Sequence, residues 1–149
     1  MPLTTKEYIQ INQALFSLAH AYESRMKKEM KSDPSSLSVY ECALLMVIGQ
    51  VSPITSRSLA RLMDVTASMI SIYVRKLSRK GLVKIEWDEK DNRNGWLSLT
   101  DIGMYAYQEI IKHTAIYTRD FLSALSNEEQ STLHDILLKA SHSLGFDWQ

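Results

Sequence analysis

The chain has 149 residues, 45% of them hydrophobic, and its 17 basic side chains are balanced by 17 acidic ones. That length and composition fit one domain with a packed core, spanning residues 1–149, and exclude a disordered chain. No apolar run reaches membrane-spanning length and no export signal opens the chain, so a cytoplasmic protein with no membrane contact is expected; the single cysteine, Cys42, excludes an internal disulfide.

Thr4-Thr5-Lys6-Glu7 reads as a capping box, opening a helix that runs to about Lys31 with Tyr8, Ile11, Leu15, Leu18, Tyr22 and Met26 on one stripe. At ~1.5 Å per residue it spans roughly 39 Å, longer than a small domain is wide. Asp33-Pro34-Ser35-Ser36 breaks it, because the residue before a proline avoids the helical region. Ser38-Val39-Tyr40-Glu41 is a second capping box, starting a helix to Gly49, and Ser52-Pro53-Ile54 is a short extended link.

The next segment organises the chain. Ser56 to Met63 predicts a two-turn helix with Leu59, Leu62 and Met63 inward, and Asp64-Val65-Thr66 supplies a tight connection in which Thr66 caps a second helix. On that second helix Ser68, Ser71, Ile72, Arg75 and Arg79 share one side, while Ile70, Tyr73, Val74 and Leu77 gather on the other. Short hydroxyls at the front and guanidinium groups behind suit entry into a DNA major groove, where small side chains allow close approach and arginines meet phosphates or guanine edges. Gly81 can end the helix in a left-handed conformation. Leu82 to Trp87 and Trp96 to Leu99 then read as two strands around the polar loop 88–95, so a helix-turn-helix is followed by a hairpin, the order of a winged helix.

Charge is segregated along the chain. Residues 55–85 hold seven Lys and Arg side chains, among them Arg57, Lys76 and Lys80, against Asp64 alone, and the rest of the chain is acidic in balance. A basic middle with acidic ends fits a DNA-facing module joined to something that does not touch DNA.

After the hairpin, Thr100 caps a helix from Asp101 to about Ala124, roughly 36 Å long. Its apolar residues include Ile102, Tyr105, Ile110, Ile111, Ile116, Tyr117, Phe121 and Leu122. Ser126-Asn127-Glu128-Glu129 is a third capping box, opening a last helix to Gly145 with Leu133, Ile136, Leu137, Ala140 and Leu144 on it.

The pattern Asp88-x-x-Asp91-x-Arg93, followed by Leu99-Thr100-x-x-Gly103, resembles the MarR-type transcriptional regulators, and Leu59-Ala60, Ser68, Ser71, Leu77 and Gly81-Leu82-Val83 fit the segment before it. The resemblance is strongest over residues 59–103, and helix order extends it to nearly the whole chain. It implies a mainly α fold with a small β-hairpin: a winged helix-turn-helix lobe over 38–100, flanked by dimerisation helices at 4–31 and 101–145. Ile72 and Ile85 stand where many members carry arginine, so phosphate contacts at those two places are not carried over.

The expected function is a homodimeric, sequence-specific DNA-binding regulator of the repressor type, acting on a pseudo-palindromic operator. The expected DNA-facing residues are Arg57, Thr66, Ser68, Ser71, Ile72, Arg75, Lys76, Arg79 and, on the wing, Arg93 with Asp91 placed to orient it. The resemblance also implies release by a small aromatic ligand or an oxidant. A winged-helix protein-interaction module without DNA binding is the alternative; it calls for large apolar residues where Ser68, Ser71, Arg75 and Arg79 stand.

Three further choices stay open. The long helices bury their apolar stripes across a two-fold axis or fold back on their own domain. Cys42, among Ala43, Leu44 and Leu45, is an inert core thiol or an oxidant sensor. Ile72 is covered by a partner or packs on a neighbouring helix or wing. His20, His113, His134 and His142 match no zinc spacing, and no phosphate loop or nucleophile elbow is present, so neither a cofactor nor catalysis is expected.

Overall fold

The computed structural model describes residues 1–30, 37–90, 93 and 95–145. The helix break expected at Asp33-Pro34-Ser35-Ser36, with Lys31 before it, lies outside the described residues, as do Asp91, Asn92 and Asn94 of the wing loop. The chain forms two compact units, Met1–Tyr40 and Glu41–Gln149.

In the first unit, helix α1 (Thr5–Met30) opens on the expected capping box. Thr4 Oγ1 accepts from the Glu7 amide at 3.3 Å, and the Glu7 carboxylate accepts from the Thr4 amide at 2.7 Å. The Thr4 amide and the Thr4 hydroxyl, both donating to it, hold the Glu7 carboxyl below its usual range. Tyr8, Ile11, Leu15 and Leu18 of the stripe are exposed, and Phe16 beside them is 76% exposed.

The second unit carries the core. Helix α2 (Val39–Val51) buries Leu44, Leu45, Val47 and Ile48. Strand β1 (Ile54–Thr55) leads to α3 (Ser56–Leu62), capped by the Thr55 side chain, which accepts from the Ser58 amide. Leu59 and Ala60 are the buried residues of α3, whereas Leu62 and Met63, expected inward, are only half-buried at its C-terminal end. Asp64 turns the chain with φ of 52°, a left-handed conformation that a short polar side chain tolerates. Helix α4 (Ala67–Arg79) follows, then β2 (Val83–Trp87), β3 (Gly95–Leu99), α5 (Asp101–Phe121) and α6 (Asn127–Ser143).

The link Ser52-Pro53-Ile54 holds more structure than an extended connection. Ile54 pairs with Leu97 and Thr55 with Trp96, so β1 joins the hairpin in an antiparallel sheet of order β1-β3-β2. A strand of two residues has no periodicity to read, and only its partner reveals it. On the β2 side Val83 faces Leu99 and Ile85 faces Leu97, which puts Leu97, fully buried, at the middle of the inner face.

A latch fixes the end of α4 to the start of α5. Gly81 takes φ of 73°, as expected, and its carbonyl accepts from the Thr100 hydroxyl. The Thr100 amide donates to the Leu82 carbonyl at 3.1 Å, while the Thr100 Oγ1 accepts from the Gly103 amide at 3.0 Å. A Cβ on Gly103 would lie 1.9 Å from the Leu82 carbonyl oxygen, which is why the L-T-x-x-G run ends in glycine. Helix α5 stops at Phe121, short of the expected Ala124. There Gln130 donates to the Leu122 and Leu125 carbonyls at 3.3 and 3.0 Å, satisfying acceptors that the helix would otherwise leave open.

Cys42 is buried in α2, and its thiol is pushed up from an ordinary 9.0 to about 11, first by burial and then by the Glu41 carboxylate, with Lys80 pulling the other way. A neutral buried thiol has little thiolate to react, so the core role is favoured over oxidant sensing.

Two outcomes follow. Gly103→Ala should cost about 3 kcal/mol of stability in urea unfolding, since backbone must move to admit the methyl; an unchanged midpoint would mean the Leu82 carbonyl yields freely. For Cys42, the folded state holds its proton to higher pH than the unfolded chain does, so its contribution is intact below pH 9.0 and is lost as pH rises towards about 11. The stability difference between the parent and Cys42→Ala should therefore shift against the parent across that window, and a pH-independent difference would refute the raised pKa.

Candidate nucleic-acid interface

The recognition segment is built from its two ends inward. At the front, Thr66 adopts an extended conformation and its Oγ1 accepts from the Met69 amide at 3.2 Å, so α4 starts where Thr66 was expected to cap it. Along its length Ile70 and Leu77 are fully buried and Val74 nearly so. That stripe against the core sets the rotation of the helix, and rotation decides what faces solvent.

The opposite side presents Thr66, Ser68, Ser71, Ile72, Arg75, Lys76 and Arg79, all exposed. The structure thus brings seven of the nine expected residues onto one element and its cap. Arg57 is exposed on α3, which packs against α4, and Arg93 is exposed on the wing. Asp91, the residue expected to orient Arg93, lies outside the described residues. Lys76 reaches over the ring of Tyr73, its Nζ 5.0 Å from the centroid, which holds the ammonium beside the helix.

The basic run is divided by partners that sequence does not show. Lys80 Nζ bonds the Glu41 carboxylate at 2.9 Å, and Lys84 Nζ lies 3.1 Å from Glu86. Among the described residues, no carboxylate lies within ion-pair distance of Arg57, Arg61, Arg75, Lys76 or Arg79. These five cations are the ones left to a polyanion. Glu41 is buried, at 5% exposure, and its pairing with Lys80 ties the start of α2 to the residue that ends α4. The sequence marks Glu41 as half of a capping box; the signal for more is a lone acid in an otherwise apolar helix, a residue rarely buried without a partner.

The wing continues the sheet. Trp87 and Trp96 are both exposed, and the register places them on opposite faces, because Trp96 pairs with Glu86 and Trp87 with Gly95. Ile85, where the resemblance led to an expectation of no phosphate contact, is also partly exposed. No helix among the described residues is long and apolar enough to cross a membrane.

Comparison with known proteins agrees with this geometry. Residues 37–103 match the family model of a winged helix DNA-binding domain. Over 137 residues the chain is 21% identical to YwaE of Bacillus subtilis (strain 168), described as an uncharacterized HTH-type transcriptional regulator, with 89% of this chain and 80% of that one covered. Among solved structures, Streptococcus pneumoniae FabT in complex with DNA superposes with a TM-score of 0.76 at 21% identity, covering 93% of this chain and 97% of that one. AbsC, a MarR family transcriptional regulator from Streptomyces coelicolor, superposes with a TM-score of 0.76 at 19% identity over 99% of both chains. Residues 37–103 thus match a winged helix domain, and the chain as a whole carries the fold seen in MarR-family structures such as AbsC.

Proposed function

We propose that this protein is a homodimeric, sequence-specific DNA-binding transcriptional regulator of the repressor type, working in the cytoplasm on a pseudo-palindromic operator. The observation that carries it is the face of α4 turned away from the core: serines at the front, cations behind, and no carboxylate among them. An interaction module would need a large apolar face there. The lobe 38–100 would lay each α4 in a major groove, with half-sites about 10 bp apart. FabT was solved in complex with DNA, which supports the same use of the fold here.

In this reading Ser68 and Ser71 approach bases, Thr66 faces the groove from the helix start, and Arg75, Lys76 and Arg79 meet phosphates or guanine edges, with Arg57 on the flank. Arg93 on the wing enters an adjacent minor groove, where negative potential concentrates. Helices 4–31 and 101–145 supply the two-fold contact. Exposed apolar residues support that: Tyr8, Leu15 and Phe16 on α1, Ile102 and Ile116 on α5, and Ile136 and Leu137 on α6. A small aromatic ligand bound near those helices would release the operator; the buried, high-pKa thiol argues against Cys42 as the signal receptor.

Selection of bound sequences from a randomised duplex pool tests the function. A palindromic winner is expected; failure to enrich any sequence would remove the proposal. Arg93→Ala should weaken binding by about 1 to 3 kcal/mol and lower the salt slope by roughly one, whereas identical affinity throughout a salt titration would take Arg93 off the DNA. For the dimer, Leu15→Arg with Leu18→Arg alters side chains that the single chain leaves exposed, so the fold should survive while sedimentation shifts to monomer and operator affinity falls. A double variant that stays dimeric would exclude this stripe from the interface.

A further inference from the structure

Ile72 stands at the centre of the presented face. At about 100° per residue it lies about 160° around the helix from both Ile70 and Val74, which face the core. By the same count Ser68, Arg75, Lys76 and Arg79 all fall within about 60° of it. It is 52% exposed, so its own chain leaves it open, and packing on a neighbouring helix or wing does not account for it.

Its neighbours make the oddity specific. Serine, arginine and lysine can each donate a hydrogen bond to a base edge or a phosphate; an isoleucine can do neither. An apolar branched side chain in the middle of a polar face, more than half exposed, forgoes burial unless the working complex covers it. In a major groove the apolar feature on offer is the 5-methyl group of thymine. Ser68 and Ser71 are short enough to let the helix approach the base edges, while the cations on either side reach outward to the backbone.

We infer that Ile72 reads a thymine methyl group in each half-site, an inference that rests on the DNA-binding function proposed above. The recognised feature is the methyl and not the base pair. A 5-methylcytosine in the same place presents the same group at the same position in the groove, so it should be recognised where cytosine is not.

The test uses the full-length protein and the duplex it selects from a random pool, resynthesised with uracil in place of one thymine at a time. One position in each half-site should bind about fourfold more weakly, the share expected for one buried carbon. At that position cytosine should also bind more weakly, and 5-methylcytosine should recover the part due to the methyl. Ile72→Ala, which alters an exposed side chain and so keeps the fold, should bind thymine and uracil duplexes alike, with Ile72→Val between it and the parent. If no uracil substitution matters, or if Ile72→Ala weakens thymine and uracil duplexes by the same factor, the contact does not exist although DNA binding stands. If no duplex is enriched at all, the function beneath the inference fails and the inference with it.

Discussion

Burial of Ile70, Val74 and Leu77 is the constraint on which the rest depends. Each of these side chains gives up about 1.5 to 3 kcal/mol if α4 rotates and returns it to water. With the helix held at that rotation, the residues between them have nowhere to go but outward. The serines, Ile72 and the cations are therefore placed by the core, not by contacts of their own. The outward face is held in place because the opposite face is packed.

Three smaller devices keep that helix from sliding or fraying. Thr66 closes its front by accepting from Met69. Thr100 and Gly103 close its rear by pinning Gly81 and Leu82 to the start of α5. Glu41 reaches the cap residue Lys80 from α2, across 39 positions of sequence. Only the Glu41 side of this pair is buried, and such a pair is weak evidence for added stability, because desolvation offsets attraction.

Much of this was legible in the residues, and the reasons are local. Caps at Thr4, Thr66, Thr100 and Ser126 are read from a hydroxyl ahead of a helical run, joined at Thr4 and Ser126 by a glutamate three places on, and each forms as expected. The two sides of α4 follow from helical periodicity, and the turn at Gly81 from the one residue type that takes a positive φ at no steric cost. What escaped was non-local. Strand β1 exists only through its pairing with β3, the Glu41–Lys80 pair joins distant elements, and the end of α5 depends on Gln130 from the following helix. Of the site, the outward residues of α4 could be named from sequence, but the division of the basic run into cations held by Glu41 and Glu86 and cations left open could not.

We propose that the outward face of α4 binds DNA and does nothing for the fold. Arg75→Glu separates the two, since Arg75 is exposed on that face and makes no ion pair among the described residues. Affinity for a selected duplex and urea unfolding should be measured on the same preparation. Binding should weaken by about tenfold to a hundredfold, with stability within about 0.5 kcal/mol of the parent. Unchanged affinity, or a loss of binding matched by a loss of stability, would contradict it.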